Sequence, residues 1–277
     1  MTENASINGP ERAETVTVWN GEINMRVCIA GTGPALVYFH PATGLYWDEF
    51  LDQLAQDYTV YAPELPGTTP GDPYAIHKVQ TYVDLLLMYE ELLGKLGLSG
   101  AVAVGQSMGG MIALDLASYF PALFSRLVAL APCGLWRDDA PPGLADLYAA
   151  SPESIPGYLF HDPSMASAQR MFAIPEDPAD VPMHVAQGVW ALGCAGKFLW
   201  PFPDFGLRGR LHRIAAPTMI LWGRDDRIVS SVYGEDFASG IRNCEVHVYE
   251  ECGHILQIEK LDEAVSDVKD FIASQAH

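Results

Sequence analysis

Five residues, Gly105-Gln106-Ser107-Met108-Gly109, constrain this chain more than any other stretch. Ahead of them runs Ala101-Val102-Ala103-Val104, small and β-branched, which reads as a short buried strand. Behind them, Gly110 to Ala117 (GMIALDLA) reads as a buried helix. Ser107 is therefore predicted on a strand-to-helix turn, in a Gly-x-Ser-x-Gly setting that serves nucleophilic serines. A turn this sharp strains the serine's backbone, and its neighbours two positions away must approach other backbone without side chains. The turn lifts the hydroxyl above a sheet. It also aims the Met108 amide and the helix N-terminus at any negative charge that develops there. A glycine-rich turn with an idle surface serine is the bland alternative, so the rest of the chain has to decide.

Read in order, residues 1–14 look like a loose polar arm. Thr15–Trp19 and Met25–Ala30 are β-rich runs separated by Asn20-Gly21, a hairpin signal. Ala35–Phe39 and Tyr58–Ala62 read as strands, with helical spacing between them over Tyr46–Gln56. Pro63–Pro73 holds four prolines and two glycines and must be irregular. Thr81–Leu96 is a strong amphipathic helix, and Leu127–Leu130 continues the strand series. Strands that alternate with helices imply crossovers and a mostly parallel central sheet flanked by helices, an α/β fold.

The pattern breaks over residues 135–213, which are rich in proline, glycine and aromatics and show no clear strand. They read as a helical insertion, whose aromatics are expected chiefly to pack against one another. The sheet pattern resumes with Pro217–Trp222 and Cys244–Tyr249 and closes on an amphipathic helix over Leu261–Ala273. The expected organisation is a core in two parts, 1–134 and 214–277, with 135–213 inserted between them.

Composition narrows the function classes. Sixteen basic against 35 acidic residues give a formal charge of −19, a field that opposes nucleic-acid binding and anionic lipid surfaces. No apolar run is long enough to span a membrane, and the first residues lack the basic and apolar parts of a signal peptide. The five cysteines are scattered and show neither metal-ligand spacing nor a disulfide framework, so a reduced, cytoplasmic setting is expected.

A serine hydroxyl needs a base within hydrogen-bond reach, and that base needs a carboxylate to fix its tautomer. Both are expected on loops at the carboxyl ends of strands. Two loops qualify: Gly223-Arg224-Asp225-Asp226 after the strand ending at Trp222, and Cys252-Gly253-His254 after the strand ending near Tyr249. The other histidines have no motif around them and read as solvated or locally hydrogen-bonded.

Taken with Phe39-His40, Gly109-Gly110 and Glu259, these stretches resemble the α/β-hydrolase superfamily, in its branch with a helical cap, over nearly the whole chain. The resemblance implies that Ser107 is the nucleophile, His254 the base and acid, and Asp226, rather than Asp225, the orienting carboxylate. It implies an oxyanion hole from the backbone N–H groups of Met108 and of the loop after Phe39. That loop carries His40-Pro41 where the family often has His-Gly. Proline has no N–H, so by position the second donor is Ala42, with His40 bracing the loop.

The function expected first is an esterase acting on a small, fairly apolar substrate, without cofactor or metal. The first alternative keeps the triad but splits the carbon–carbon bond of a ring-cleavage diketone. Such substrates carry carboxylates, so a cation should line the pocket, and Arg137, Arg170 and Lys197 are candidates. The second alternative is a low-turnover ligand receptor. The expected partner is a small-molecule substrate, not nucleic acid or membrane, and homo-oligomerisation is left open.

Overall fold

The structure is a computed structural model and describes residues 8–68 and 72–274. The strands are β1 (Arg12–Val18), β2 (Ile23–Ala30), β3 (Ala35–Phe39), β4 (Thr59–Pro63), β5 (Ala101–Gln106), β6 (Phe124–Leu130), β7 (Thr218–Gly223) and β8 (Cys244–Tyr249). They form one sheet in the order β1-β2-β4-β3-β5-β6-β7-β8. β1, β2 and β4 pair antiparallel, and every pair from β4 to β8 is parallel. β5 and β7 are buried at every position, which is why they read as unbroken apolar runs rather than alternating ones.

The helices are α1 (Glu49–Leu54), α2 (Tyr82–Lys95), α3 (Met108–Tyr119), α4 (Leu144–Ala149), α5 (Ile155–Leu159), α6 (Ala166–Met171), α7 (Val181–Leu199), α8 (Tyr233–Gly240), α9 (Leu256–Glu259) and α10 (Leu261–Ala273). Through contacts with one another, α2 and α3 form one group, joined to α8 by a 3₁₀ helix at Leu207–Arg213. α1, α9 and α10 form another. α3 lies directly on β3, β5 and β6, so almost its whole surface is buried and it shows no amphipathic stripe. α2 is buried along one face from Tyr82 to Leu93. Among the described residues no helix is long and apolar enough to cross a membrane.

One expectation needs correcting. The polar arm does not extend to residue 14, because Arg12, Ala13 and Glu14 pair with Ile29, Cys28 and Val27 as the start of β1. β1 is an edge strand with most of its side chains in solvent, so no buried face imposed an apolar alternation on its sequence. Residues 1–7 of that arm, and residues 69–71 of the irregular stretch, lie outside the described residues. The Asn20-Gly21 turn forms as expected, with both residues at positive φ and the Glu22 N–H donating to Trp19 O at 3.1 Å.

Between β6 and β7 the chain runs through α4 to α7 with no strand among the described residues. Its aromatics largely find aromatic partners: Trp136 with Phe202, Tyr148 with Trp200, and Phe160 with Phe172. Met183 in this segment is exposed.

α2 begins with a reciprocal cap. The Asp84 N–H donates to Thr81 Oγ1 (3.1 Å) and the Thr81 N–H to Asp84 Oδ2 (2.8 Å). Thr81→Ala is expected to lower unfolding free energy by about 1 kcal/mol, read from urea melts, without altering the far-UV spectrum.

Candidate active site

β5 carries Ser107 to the carboxyl edge of the sheet, and α3 starts at the next residue. Ser107 sits at φ 55°, ψ −113°, a left-handed backbone that costs a residue with a Cβ about 1–3 kcal/mol. Neighbouring backbone holds it there. Its N–H donates to Leu130 O (2.8 Å), and its carbonyl accepts from the N–H groups of Met111 (3.0 Å) and Cys133 (3.2 Å). Close approach explains two of the glycines. A Cβ on Gly105 would lie 2.4 Å from Gly109 O, and one on Gly109 would lie 1.9 Å from Phe39 O.

His254 follows β8. Its Nε2 is 2.9 Å from Ser107 Oγ and its Nδ1 is 2.8 Å from Asp226 Oδ2. All three side chains are buried. A carboxylate facing Nδ1 places the ring proton there, so Nε2 accepts from the serine hydroxyl. Asp226 is held in turn. Oδ2 also accepts from Trp222 Nε1 (3.1 Å), and Oδ1 accepts from the N–H groups of Ile228 (2.8 Å) and Val229 (3.0 Å). A buried carboxylate is tolerated only with such partners. Asp225 points elsewhere, half-exposed, to His161 Nδ1 at 2.8 Å. The structure thus brings Ser107, His254 and Asp226 together and leaves Asp225 out.

The loop after Phe39 lies beside the elbow because Phe39 and Gly105 are paired in register. Met108 is the first residue of α3, where an N–H has no intrahelical acceptor. Ala42 is buried in a turn closed by the Gly44 N–H donating to Pro41 O at 3.2 Å. His40 braces this loop. Its Nδ1–H donates to Pro41 O (2.7 Å), while Nε2 accepts from the Leu65 N–H (2.9 Å). That arrangement needs a neutral ring, and burial pushes the His40 pKa down to about 4.

Sequence reasoning assigned no role to three supports of the site, Glu259 entering only among the residues that carry the resemblance. The carbonyl of Leu159, the last residue of α5, accepts from the N–H groups of His254 (2.8 Å) and Ile255 (3.2 Å). Glu259 accepts from Gly253 N–H (2.6 Å) and Asp162 N–H (3.0 Å), and so ties the His254 loop to the inserted segment. Cys133, in the loop after β6, places its sulfur 3.5 Å from Ser107 Oγ. The carboxyl-end rule for α/β sheets was the signal available for Cys133, since it follows a central strand.

The cations proposed for a substrate carboxylate are engaged elsewhere. Arg137 pairs with Asp139 (2.7 Å) and Asp236 (3.5 Å), Arg170 with Glu49 (2.7 Å), and the Lys197 ammonium donates to the carbonyls of Ile76 and Val79.

A family model described as the alpha/beta hydrolase family matches residues 27–268. A 2-hydroxy-6-oxo-6-phenylhexa-2,4-dienoate hydrolase of Comamonas testosteroni is 27% identical over 84% of this chain and 86% of that protein. A 2-hydroxy-6-oxononadienedioate/2-hydroxy-6-oxononatrienedioate hydrolase of the same organism is 26% identical over 98% of this chain and 99% of its own length. Among solved structures, a carboxylesterase of Bacillus subtilis superposes with a TM-score of 0.74 at 17% identity, covering 96% of this chain and 94% of that one.

His40 gives the site region a pH signature. An unfolded histidine takes up a proton near pH 6.5, whereas the buried ring resists until about pH 4. The His40 contribution is therefore complete above pH 6.5 and is lost as the pH falls towards 4, at up to about 1.4 kcal/mol per pH unit. His40→Gln is expected to flatten that part of the stability curve, measured by urea unfolding at pH 7, 6 and 5.

Proposed function

The chain belongs to the alpha/beta hydrolase family, and from that premise we propose that it hydrolyses a bond beside a carbonyl carbon through a covalent acyl-enzyme on Ser107. The observation that carries the reading is the buried relay from Ser107 Oγ through His254 to Asp226, with steps of 2.9 Å and 2.8 Å. Ser107 Oγ attacks the carbonyl as His254 Nε2 takes its proton. The N–H groups of Met108 and Ala42 hold the oxyanion. Collapse expels the leaving group, which receives the proton from His254. A water molecule, deprotonated by His254, then releases the acid and restores the serine.

Two bonds fit this chemistry. The named substrates of the curated relatives are oxo-dienoates, which contain no ester. Their hydrolysis must break a carbon–carbon bond. Those names support the carbon–carbon reading better than the ester reading. The ester reading is kept on one observation: Arg137, Arg170 and Lys197 are committed to other partners, and a substrate without a carboxylate does not need them. On either reading residues 135–213 act as a cap over the site, supported by the bonds from Leu159 to the His254 loop and from Asp162 to Glu259. A small-molecule substrate in a cytoplasmic setting completes the proposal, supported by the −19 charge and the five free thiols.

The test offers the purified protein a 2-hydroxy-6-oxo-dienoate and a short-chain chromogenic ester, as wild type and as Ser107→Ala. Loss of all turnover in the variant is expected, and undiminished turnover overturns the assignment of the nucleophile. A higher kcat/KM for the dienoate selects the carbon–carbon reading, and a higher value for the ester selects the other.

The two adjacent aspartates separate by the same assay. Asp226→Asn should cost about a thousandfold or more in kcat, because the imidazole loses its tautomer control. Asp225→Asn should stay within about threefold.

A further inference from the structure

We propose that Cys133 is a positioning residue for the nucleophile, its thiol donating a hydrogen bond to Ser107 Oγ. The inference rests on the reading of Ser107 as nucleophile. Cys133 holds the serine at two points. Its backbone N–H donates to the Ser107 carbonyl at 3.2 Å, and its sulfur lies 3.5 Å from Ser107 Oγ, within reach for a sulfur donor. Proton counting sets the direction. Asp226 Oδ2 faces His254 Nδ1, which fixes the imidazole proton on that nitrogen, so Nε2 is bare. The serine's one proton goes to Nε2 at 2.9 Å. Ser107 Oγ has only lone pairs left for Cys133, and the thiol is the donor.

The thiol keeps its proton. The residue is buried, and burial pushes its pKa up to about 12. It is therefore not a rival nucleophile. It is a fixed, weak donor to Oγ. Electron density on Oγ peaks twice: when its proton leaves during attack, and when it is expelled from the second tetrahedral adduct. The thiol faces the oxygen at both moments. It also restricts the hydroxyl to the rotamer from which its proton reaches His254, which a serine on a strained turn would not otherwise be obliged to keep. A neutral hydrogen bond of this kind changes a rate by roughly fivefold.

The test measures the second-order rate of Ser107 labelling by a fluorophosphonate, a probe of the oxygen's reactivity that does not depend on the natural substrate. Wild type, Cys133→Ala, Cys133→Ser and Ser107→Ala are compared, with thermal melts on each. Cys133→Ala should slow labelling about fivefold and lower kcat more than it changes KM. Cys133→Ser, which restores a donor in a smaller side chain, should recover most of the loss. A residue that only filled space would shift the melting temperature in both variants without this ordering of rates. Equal labelling of wild type and Cys133→Ala, or failure of Cys133→Ser to recover, overturns the proposal alone. Labelling that persists in Ser107→Ala overturns the reading of the nucleophile, and this proposal with it.

Discussion

The site depends on how closely three backbone segments meet at Gly109. The end of β3, the turn after β5 and the first turn of α3 approach so nearly that no Cβ fits between the helix and the Phe39 carbonyl. That contact presses α3 onto the sheet. It also brings the loop after β3 beside the serine, so the proposed nucleophile and the expected oxyanion donors are set by one packing event. The price is the left-handed backbone of Ser107. The parallel pairing of β5 with β3 and β6, together with the hydrogen bonds to Leu130, Met111 and Cys133, outweighs it.

Charge placement follows a similar logic. A buried aspartate beside a buried histidine would be costly if either were left with unfilled hydrogen-bonding capacity. Asp226 accepts from an indole, an imidazole and two backbone amides, so its carboxylate is fixed in direction as well as solvated. Its neighbour Asp225 shares the loop but not the burial, and it satisfies itself at the surface with His161. One residue of register on a turn separates the carboxylate that faces His254 from a surface pair.

How much of this could be read from the chain depended on whether a feature had a local cause. The elbow, the strands and the long helix α2 announce themselves because apolar spacing, glycine and capping residues act within a few positions. Ser107, Asp226 and His254 could be named because each sits in a short motif at the end of a strand. Asp226 was separated from Asp225 by resemblance, whereas in the structure distance separates them. The support from Leu159 was invisible, since a backbone carbonyl has no residue signature and its partner lies 95 positions away. Arg12–Glu14 were missed because an exposed edge strand buries no face. The cations of the insertion were visible as charges, but a sequence does not show that Arg137, Arg170 and Lys197 have spent theirs on other partners.

The Leu159 carbonyl also bears on how substrate choice and chemistry relate. In an open α/β sheet the catalytic loops are fixed by the strands, and inserted segments are free to vary the pocket. Here the inserted segment contributes to the fixing. Two of its main-chain contacts, Leu159 to His254 and Ile255, and the Glu259 bridge to Asp162 run between the insertion and the loop that carries His254. Each such bond is worth about 1 kcal/mol, comparable to a several-fold change in rate if the imidazole shifts out of line. On the proposed function, a change in residues 135–213 that alters which molecule fits will therefore also act on His254, and selectivity and turnover are not independent.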